Sequence, residues 1–316
     1  MSERLKNFPI SFFAVVMGLA GTTIAWQRAE KILGWNGYVS TTLLILSVLI
    51  FLTVFAIYLL KIIKYPREVK TEFKNITKLA FFPTISISIL LLSIALLNFH
   101  SELSSCLWHI GAITHLAFSI TIMSIWIRHP GLEINHMSPA WFIPVVGNII
   151  VPIAGSVYAP IEVSWFFFSI GLILWIVLFT IIMYRLIFHN PLPERLLPTL
   201  FILIAPPAVG FIAYVKLTQG IDPAARILYY FALFIFILMI PQFGLLSRIK
   251  YYLSWWAYTF PTAAMTIATI LMYQQSHLDF FRILALVLLA FLSLVILVLS
   301  FMTFTAIKEK KICIVE

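Results

Sequence analysis

Cys106, His109 and His115 are residues of metal-ligating type gathered within one apolar stretch. On a helix Cys106 and His109 are i, i+3 neighbours, but His115 projects roughly 120° away from His109, and no second cluster completes a four-ligand site. Histidines bonded across helices are the simpler account, and one facing a lumen would titrate near neutral pH. The 12 Asp and Glu residues, from Glu3 to Glu316, fall in expected loops, tails or segment ends, and no Lys or Arg falls in the middle of an apolar stretch. Paired acids, an H-E-x-x-H pattern and a phosphate-cradling glycine loop are all missing, so no enzyme, metal or cofactor is expected. Asn75-Ile76-Thr77 has the outline of a glycosylation acceptor and Cys313-Ile314-Val315-Glu316 that of a prenylation box. The first falls on the expected cytoplasmic side and the second ends in an unusual Glu, so both are set aside.

What remains is neutral chemistry: hydroxyls, small side chains and prolines at helical spacing. Ser11, Ala14, Gly18, Gly21 and Thr22 share one face, as do Pro144, Asn148, Pro152, Gly155 and Ser156. Thr84 and Ser88 form a shorter stripe, and Pro206, Gly210 and Ala213 another. Proline inside a helix frees a carbonyl and bends the rod, which a membrane tolerates only where protein or water satisfies the freed group. Such stripes suit either close helix packing or the wall of a lumen.

The elements that carry them are apolar. Residues of the set AVILMFWYC make up 62% of the 316 positions and charged residues 10%, a composition for which water is the wrong solvent. Ten stretches approach the roughly 20 residues that a hydrocarbon core of about 30 Å requires. They cover 8–26, 38–63, 80–99, 105–127, 141–158, 163–188, 197–217, 227–243, 253–273 and 280–307. The gaps hold no soluble domain, so the chain reads as a single all-α transmembrane domain over 1–316. Prolines concentrate in the odd stretches: Pro9, Pro83, Pro144 with Pro152, Pro198 with Pro206 and Pro207, and Pro261. Those at 83, 144, 206 and 261 are spaced by one helical hairpin, and Phe8-Pro9, Phe82-Pro83 and Phe260-Pro261 share their dressing, which predicts a five-fold internal repeat. Parallel odd helices would then surround a central path and even helices face lipid or neighbouring subunits.

Basic residues set the expected orientation. With the N-terminus cytoplasmic, only Arg28, Lys31, Lys216, Arg226 and Arg282 lie outside, leaving 16 of the 21 Lys and Arg inside, with both termini cytoplasmic in an inner or plasma membrane. The net charge of +9 is therefore a topology signal, and the Lys61 to Lys78 cluster is an interfacial loop rather than a nucleic-acid face. The absence of a mid-membrane relay argues against ion-coupled carriage, and the lack of a buried Arg fork against gripping a dicarboxylate. Weak multi-site contact in a neutral tube suits passive anion movement, with preference supplied by backbone N–H groups at the helix breaks.

Several runs together resemble the tellurite-resistance and dicarboxylate transporter family, which includes bacterial tellurite-resistance proteins, yeast-type malate permeases and plant guard-cell slow anion channels. They are Phe8-Pro9 with Met17-Gly18-Leu19-Ala20, Phe142-Ile143-Pro144-Val145-Val146-Gly147-Asn148, Ala205-Pro206-Pro207-Ala208, and Trp255-Trp256-Ala257-Tyr258-Thr259-Phe260-Pro261. The resemblance implies ten helices as five hairpins in quasi-five-fold arrangement, a pore inside the odd ring, and a homotrimer with one pore per protomer. It implies a phenylalanine plug at Phe260, and it departs from the family at Ala14, where the family carries a glycine. A gated passive channel for chloride or nitrate is the expected function; a C4-dicarboxylate or malate carrier or tellurite-resistance transporter is the alternative. The expected wall comprises Ser11, Ala14, Gly18, Thr84, Ser88, Pro144, Asn148, Pro152, Pro206, Gly210, Pro261 and Ala264. One conflict stays open within the ninth stretch. Thr259, Thr262, Thr266 and Thr269 form one stripe, Phe260, Ala264 and Ile267 lie roughly opposite, and one narrow pore cannot be lined by both.

Overall fold

A computed structural model describes residues 2–242, 244 and 249–314. Phe243, Arg248, Val315 and Glu316 lie outside the described residues, so the expected end of the eighth stretch, one inside cation and the last two tail residues are not placed. The described residues form helices and turns with no strand. Eight helical segments are long and apolar enough to cross a membrane: Ile10–Leu33, Tyr38–Lys64, Ile76–Leu96, Ser101–Arg128, Pro139–Tyr158, Ile161–Phe188, Glu194–Thr218 and Asp279–Lys308. Pro223–Met239 is apolar but only 17 residues long, and Thr259–Ser276, with its four threonines and two glutamines, is less apolar. In chain order these ten are called the first to tenth segments.

Odd and even segments differ in kind. In the first, third, fifth and seventh, 78, 89, 83 and 83% of the most apolar window is buried; in the second, fourth, sixth and tenth the figures are 22, 28, 33 and 33%. Every residue from Pro261 to Met272 of the ninth is also buried. The odd segments therefore make the interior, and the even segments turn Leu, Ile, Val and Phe outward, as lipid solvation allows.

Each odd segment has a tightened, non-α stretch ahead of an α-helix, which in the third follows the short helix Ile76–Leu79. The turns are Ile10–Phe12, residues 80–83, Pro139–Trp141, Glu194–Ile204 and Leu253–Tyr258, and the α-helices that follow begin at Phe13, Thr84, Phe142, Ala205 and Thr259. Proline explains the change, because it lacks the N–H that the α ladder needs yet fits the first α turn. Pro206 does so after Ala205, and Pro261 after Thr259. The fifth segment breaks twice, Phe142–Val146 and Val151–Tyr158 being joined by a 3₁₀ turn over Gly147–Ile150.

Close approach is secured by glycine and by hydroxyls. A Cβ on Gly18 would run into Thr259 Oγ1 and the Trp256 ring, so the first and ninth segments touch there backbone to side chain. Thr23 pairs with Ser47 at 3.2 Å, Ser86 with His115 Nδ1 at 2.9 Å, and Tyr229 with Thr269 at 3.2 Å, tying the first segment to the second, third to fourth and eighth to ninth. Each such bond contributes about 0.6 kcal/mol.

Two boundaries differ from the sequence expectation. The first segment continues past Trp26 to Leu33, where Gly34 takes the left-handed conformation at φ +68° and ends it. Arg28 and Lys31, expected in an outer loop, are therefore helical. The Lys61 to Lys78 stretch is no plain basic loop either. It contains the helix Pro66–Lys74, whose Glu72 is buried and pairs with Lys61 Nζ at 2.6 Å. Lys61 also donates to the Phe8 carbonyl at 2.8 Å, the Tyr58 hydroxyl donates to Glu72 at 3.2 Å, and the Ile10 N–H donates to Glu72 Oε1 at 2.8 Å. This clasp holds the Pro9 turn of the first segment against the second.

Candidate functional site

The five odd segments surround two cavities that share three wall residues. The larger, of about 70 Å³, is lined from the first segment by Ala14 and Met17, from the third by Phe81, Thr84 and Ile87, and from the fifth by Phe142, Ile143, Val146, Gly147 and Ile150. The seventh adds Ile202, Ala205, Pro206 and Val209, and the ninth Trp256, Ala257, Phe260 and Pro261. The smaller, of about 30 Å³, is lined by Gly21, Ile24, Arg28, Leu91, Ile94, Ile150, Ile153, Val209, Ile212, Phe260, Ala264 and Ile267. Every wall residue of both cavities comes from an odd segment. Ile150, Val209 and Phe260 are shared by the two, so these three side chains stand between them.

Phe260 is aimed inward by its helix. Thr259, Thr262, Thr266 and Thr269 are fully buried, and their hydroxyls donate to the carbonyls of Trp256 at 2.6 Å, Tyr258 at 2.6 Å, Thr262 at 2.8 Å and Met265 at 2.9 Å. Hydroxyls that close onto their own helix satisfy carbonyls around the Pro261 bend and leave no proton to offer an anion. The opposite face carries Phe260, Ala264 and Ile267 into the cavities. Gly21 gives the ring its room: a Cβ there would stand 3.2 Å from Phe260 Cδ2.

Of the expected wall, Ala14, Thr84, Pro206, Pro261 and Ala264 line a cavity. Ser11, Gly18, Ser88, Pro144, Asn148, Pro152 and Gly210 line neither. Ser88 donates to the Thr84 carbonyl at 2.7 Å; Asn148 donates to Ser119 Oγ at 2.9 Å and to the Val145 carbonyl at 2.7 Å; and the Pro144 carbonyl accepts from Ser119 at 2.5 Å. Gly210 faces Leu228 of the eighth segment. In the fifth segment the physical reason is the 3₁₀ turn over Gly147–Ile150, since each 3₁₀ residue rotates the chain by about 120° rather than 100° and takes a stripe drawn for a uniform helix out of phase. It also lies in the small residues, which mark where inner and outer helices meet: Gly155 packs on Trp108 and Ser164, and Gly147 against His115. Among hydroxyls only Thr84 reaches a cavity wall, and its proton goes to the Phe81 carbonyl at 2.5 Å. The wall is thus more apolar than the sequence suggested.

Its one charged member is Arg28, lining the smaller cavity. Lys216 lies within electrostatic range of Arg28 and Lys31, and Glu30, the nearest carboxylate in sequence, is turned away, with Oε1 accepting from the Val39 and Ser40 N–H groups at 3.0 and 3.3 Å. Arg28, Lys31 and Lys216 thus form a group of cations at this end of the smaller cavity. Sequence reasoning missed it because the apolar run stops at Trp26; Gly34-Trp35-Asn36-Gly37, a turn signal eight residues further on, was the usable clue. Among the described residues no group of His, Cys, Asp and Glu is placed to hold a metal. His109 bonds the Ser105 carbonyl of its own helix at 2.8 Å, and His115 is buried against Ser86.

A family model described as a voltage-dependent anion channel matches residues 7–304. The chain is 31% identical over 273 residues to the S-type anion channel SLAH2 of Arabidopsis thaliana, covering 84% of this chain and 53% of the plant protein. It is 29% identical over 302 residues to an uncharacterized transporter of Methanocaldococcus jannaschii, covering 87% of each. A tellurite resistance protein homologue of Haemophilus influenzae is 24% identical over 279 residues, 87% of this chain and 84% of that one. The chain thus spans about half the length of the plant channel and most of the two prokaryotic relatives.

Proposed function

The chain belongs to the voltage-dependent anion channel family, and on that footing we propose that it is a gated passive channel for small monovalent anions such as chloride or nitrate, closed by Phe260. The observation that carries this reading is the position of one ring. Phe260 walls both cavities, together with Ile150 and Val209, and no charged group lies at that level to bind an ion tightly. Conduction needs contacts weak enough to release, and an apolar constriction closes by excluding water. Arg28, Lys31 and Lys216 enrich anions at the outer mouth, and the path beyond them is neutral. On the same reading the chain is one transmembrane domain of ten crossings with both termini cytoplasmic, works as a homotrimer with a pore in each protomer, and performs no catalysis.

The test is anion current through Phe260→Ala beside the unmodified protein in planar bilayers, under chloride and then nitrate gradients. A large current gained on truncation supports the plugged pore, and no current in either form overturns it. One observation favours a second reading, carriage of a dicarboxylate: Arg28 supplies a half-buried cation in a cavity wall that a carboxylate group would seek. Saturable malate uptake into liposomes, with counterflow and without unitary currents, would establish the carrier instead.

A further inference from the structure

A crevice of about 850 Å³, far larger than either cavity of the path, lies on the flank between the first, second and tenth segments. Its floor is apolar, with Val15, Leu19, Ile50 and Val54 among its walls. On the second segment it runs from Leu46 to Lys64, which at 1.5 Å per residue is about 27 Å. A void of that size in a bilayer fills with what surrounds it, because unfilled walls forfeit their dispersion contacts and apolar walls do not hold water.

The mouth carries two cations with no ion pair to a carboxylate among the described residues. Arg4 and Lys64 line the crevice. The carboxylates around it are engaged elsewhere: Glu68 with Lys6 at 3.2 Å, Glu72 with Lys61 at 2.6 Å, and Glu309 with Lys311 at 2.6 Å. Arg4 spends one guanidinium N–H on the Ile307 carbonyl at 2.9 Å, which fixes the side chain at the tenth segment while its other donors stay available. A long apolar slot closed at one end by two cations matches an amphiphile with a long chain and an anionic head.

We propose that this crevice is a binding site for an anionic phospholipid of the inner leaflet, its acyl chain lying along the second segment and its phosphate held between Arg4 and Lys64. Basic pockets between transmembrane helices on the cytoplasmic side select anionic headgroups in this way. The site also touches the path. The Trp256 indole, whose Nε1 donates to Thr303 at 2.9 Å, is a wall of the crevice on one side and of the larger pore cavity on the other.

Native mass spectrometry of the full chain, released from nanodiscs of mixed phosphatidylcholine and phosphatidylglycerol, tests this without reference to conduction. The unmodified protein should retain one phosphatidylglycerol per protomer. The double variant Arg4→Gln/Lys64→Gln should lose the preference for phosphatidylglycerol over phosphatidylcholine, Ile50→Trp should lose the bound chain with both cations intact, and Lys70→Gln, a charge change outside the crevice, should behave as unmodified. Equal retention of both lipids by the unmodified protein, or retention untouched by the double variant, overturns the proposal. So does an Ile50→Trp protein that falls from oligomer to protomer without losing lipid mass, which would assign the crevice to a second copy of the chain.

Discussion

On the proposed channel reading, Arg28 is the member of the outer cation group that stands in the wall of the path itself. Arg28 is the charged wall residue of the two cavities, and its influence reaches through space, so it is set by screening. The Debye length is about 30 Å at 0.01 M salt and about 3 Å at 1 M. In the Phe260→Ala background, Arg28→Gln should therefore reduce inward anion flux from the outer side at low ionic strength and leave it nearly unchanged at 1 M. A reduction that persists at 1 M salt would instead make Arg28 a direct ligand. Phe260 was singled out by the family resemblance, and the opposition of its face to that of the four threonines set the alternative. Periodicity does not choose between those faces, because a threonine's hydroxyl can serve a solute or its own helix and sequence does not say which. The carbonyls of Trp256, Tyr258, Thr262 and Met265 each accept a threonine proton, which favours Phe260 as the inward residue.

The elements owe their arrangement to prolines that sequence displays and to one ion pair that it hides. The alternation of proline-bearing and plain apolar stretches identified the inner and outer helices, because a bend with a freed carbonyl belongs inside protein. Lys61 and Glu72 looked like members of an interfacial run of charge, since eleven residues of loop and helix separate them and no periodicity links residues across a turn. Both are buried, at 3 and 7% exposure, and they bind the Phe8 carbonyl and the Ile10 N–H on either side of Pro9. Removing one partner strands the other's charge. Lys61→Met should therefore destabilise the protein by about 3–5 kcal/mol, whereas Lys61→Met/Glu72→Leu should regain much of that loss, since a buried pair and an apolar pair of similar volume are often equivalent. Unfolding midpoints of the unmodified, single and double forms in one detergent decide it. A double variant as unstable as the single would mean that the bonds to Phe8 and Ile10, rather than charge balance, hold the clasp.

At the scale of the whole molecule, sequence could not supply phase across a break in a helix, and the side of the membrane it assigns is an expectation to be tested. Pro144 and Asn148 were placed on a common lumen with Pro152 by assuming a uniform helix, and across the 3₁₀ turn over Gly147–Ile150 they instead bond Ser119 of the fourth segment. Membrane sidedness needs no phase, only a count of Lys and Arg at each end of each crossing. That count puts the Pro66–Lys74 helix and the C-terminal tail inside and the turn after Ser276 outside. In a background of Cys106→Ser and Cys313→Ser, Gln275→Cys should react with an impermeant maleimide on intact cells, and Lys70→Cys only after permeabilisation. The reverse pattern would invert the chain and put Arg28 at the inner mouth. The native Cys313 gives an independent check on the same topology. Burial pushes its thiol up to about 11, with the nearby Arg4 and Lys61 pulling the other way, so little thiolate forms at neutral pH. With Cys106→Ser and Cys313 retained, labelling should be absent on intact cells, slow after permeabilisation at pH 7, and faster with each step in pH toward 11. Fast labelling at pH 7 would show that the tail does not pack into the crevice beside Arg4.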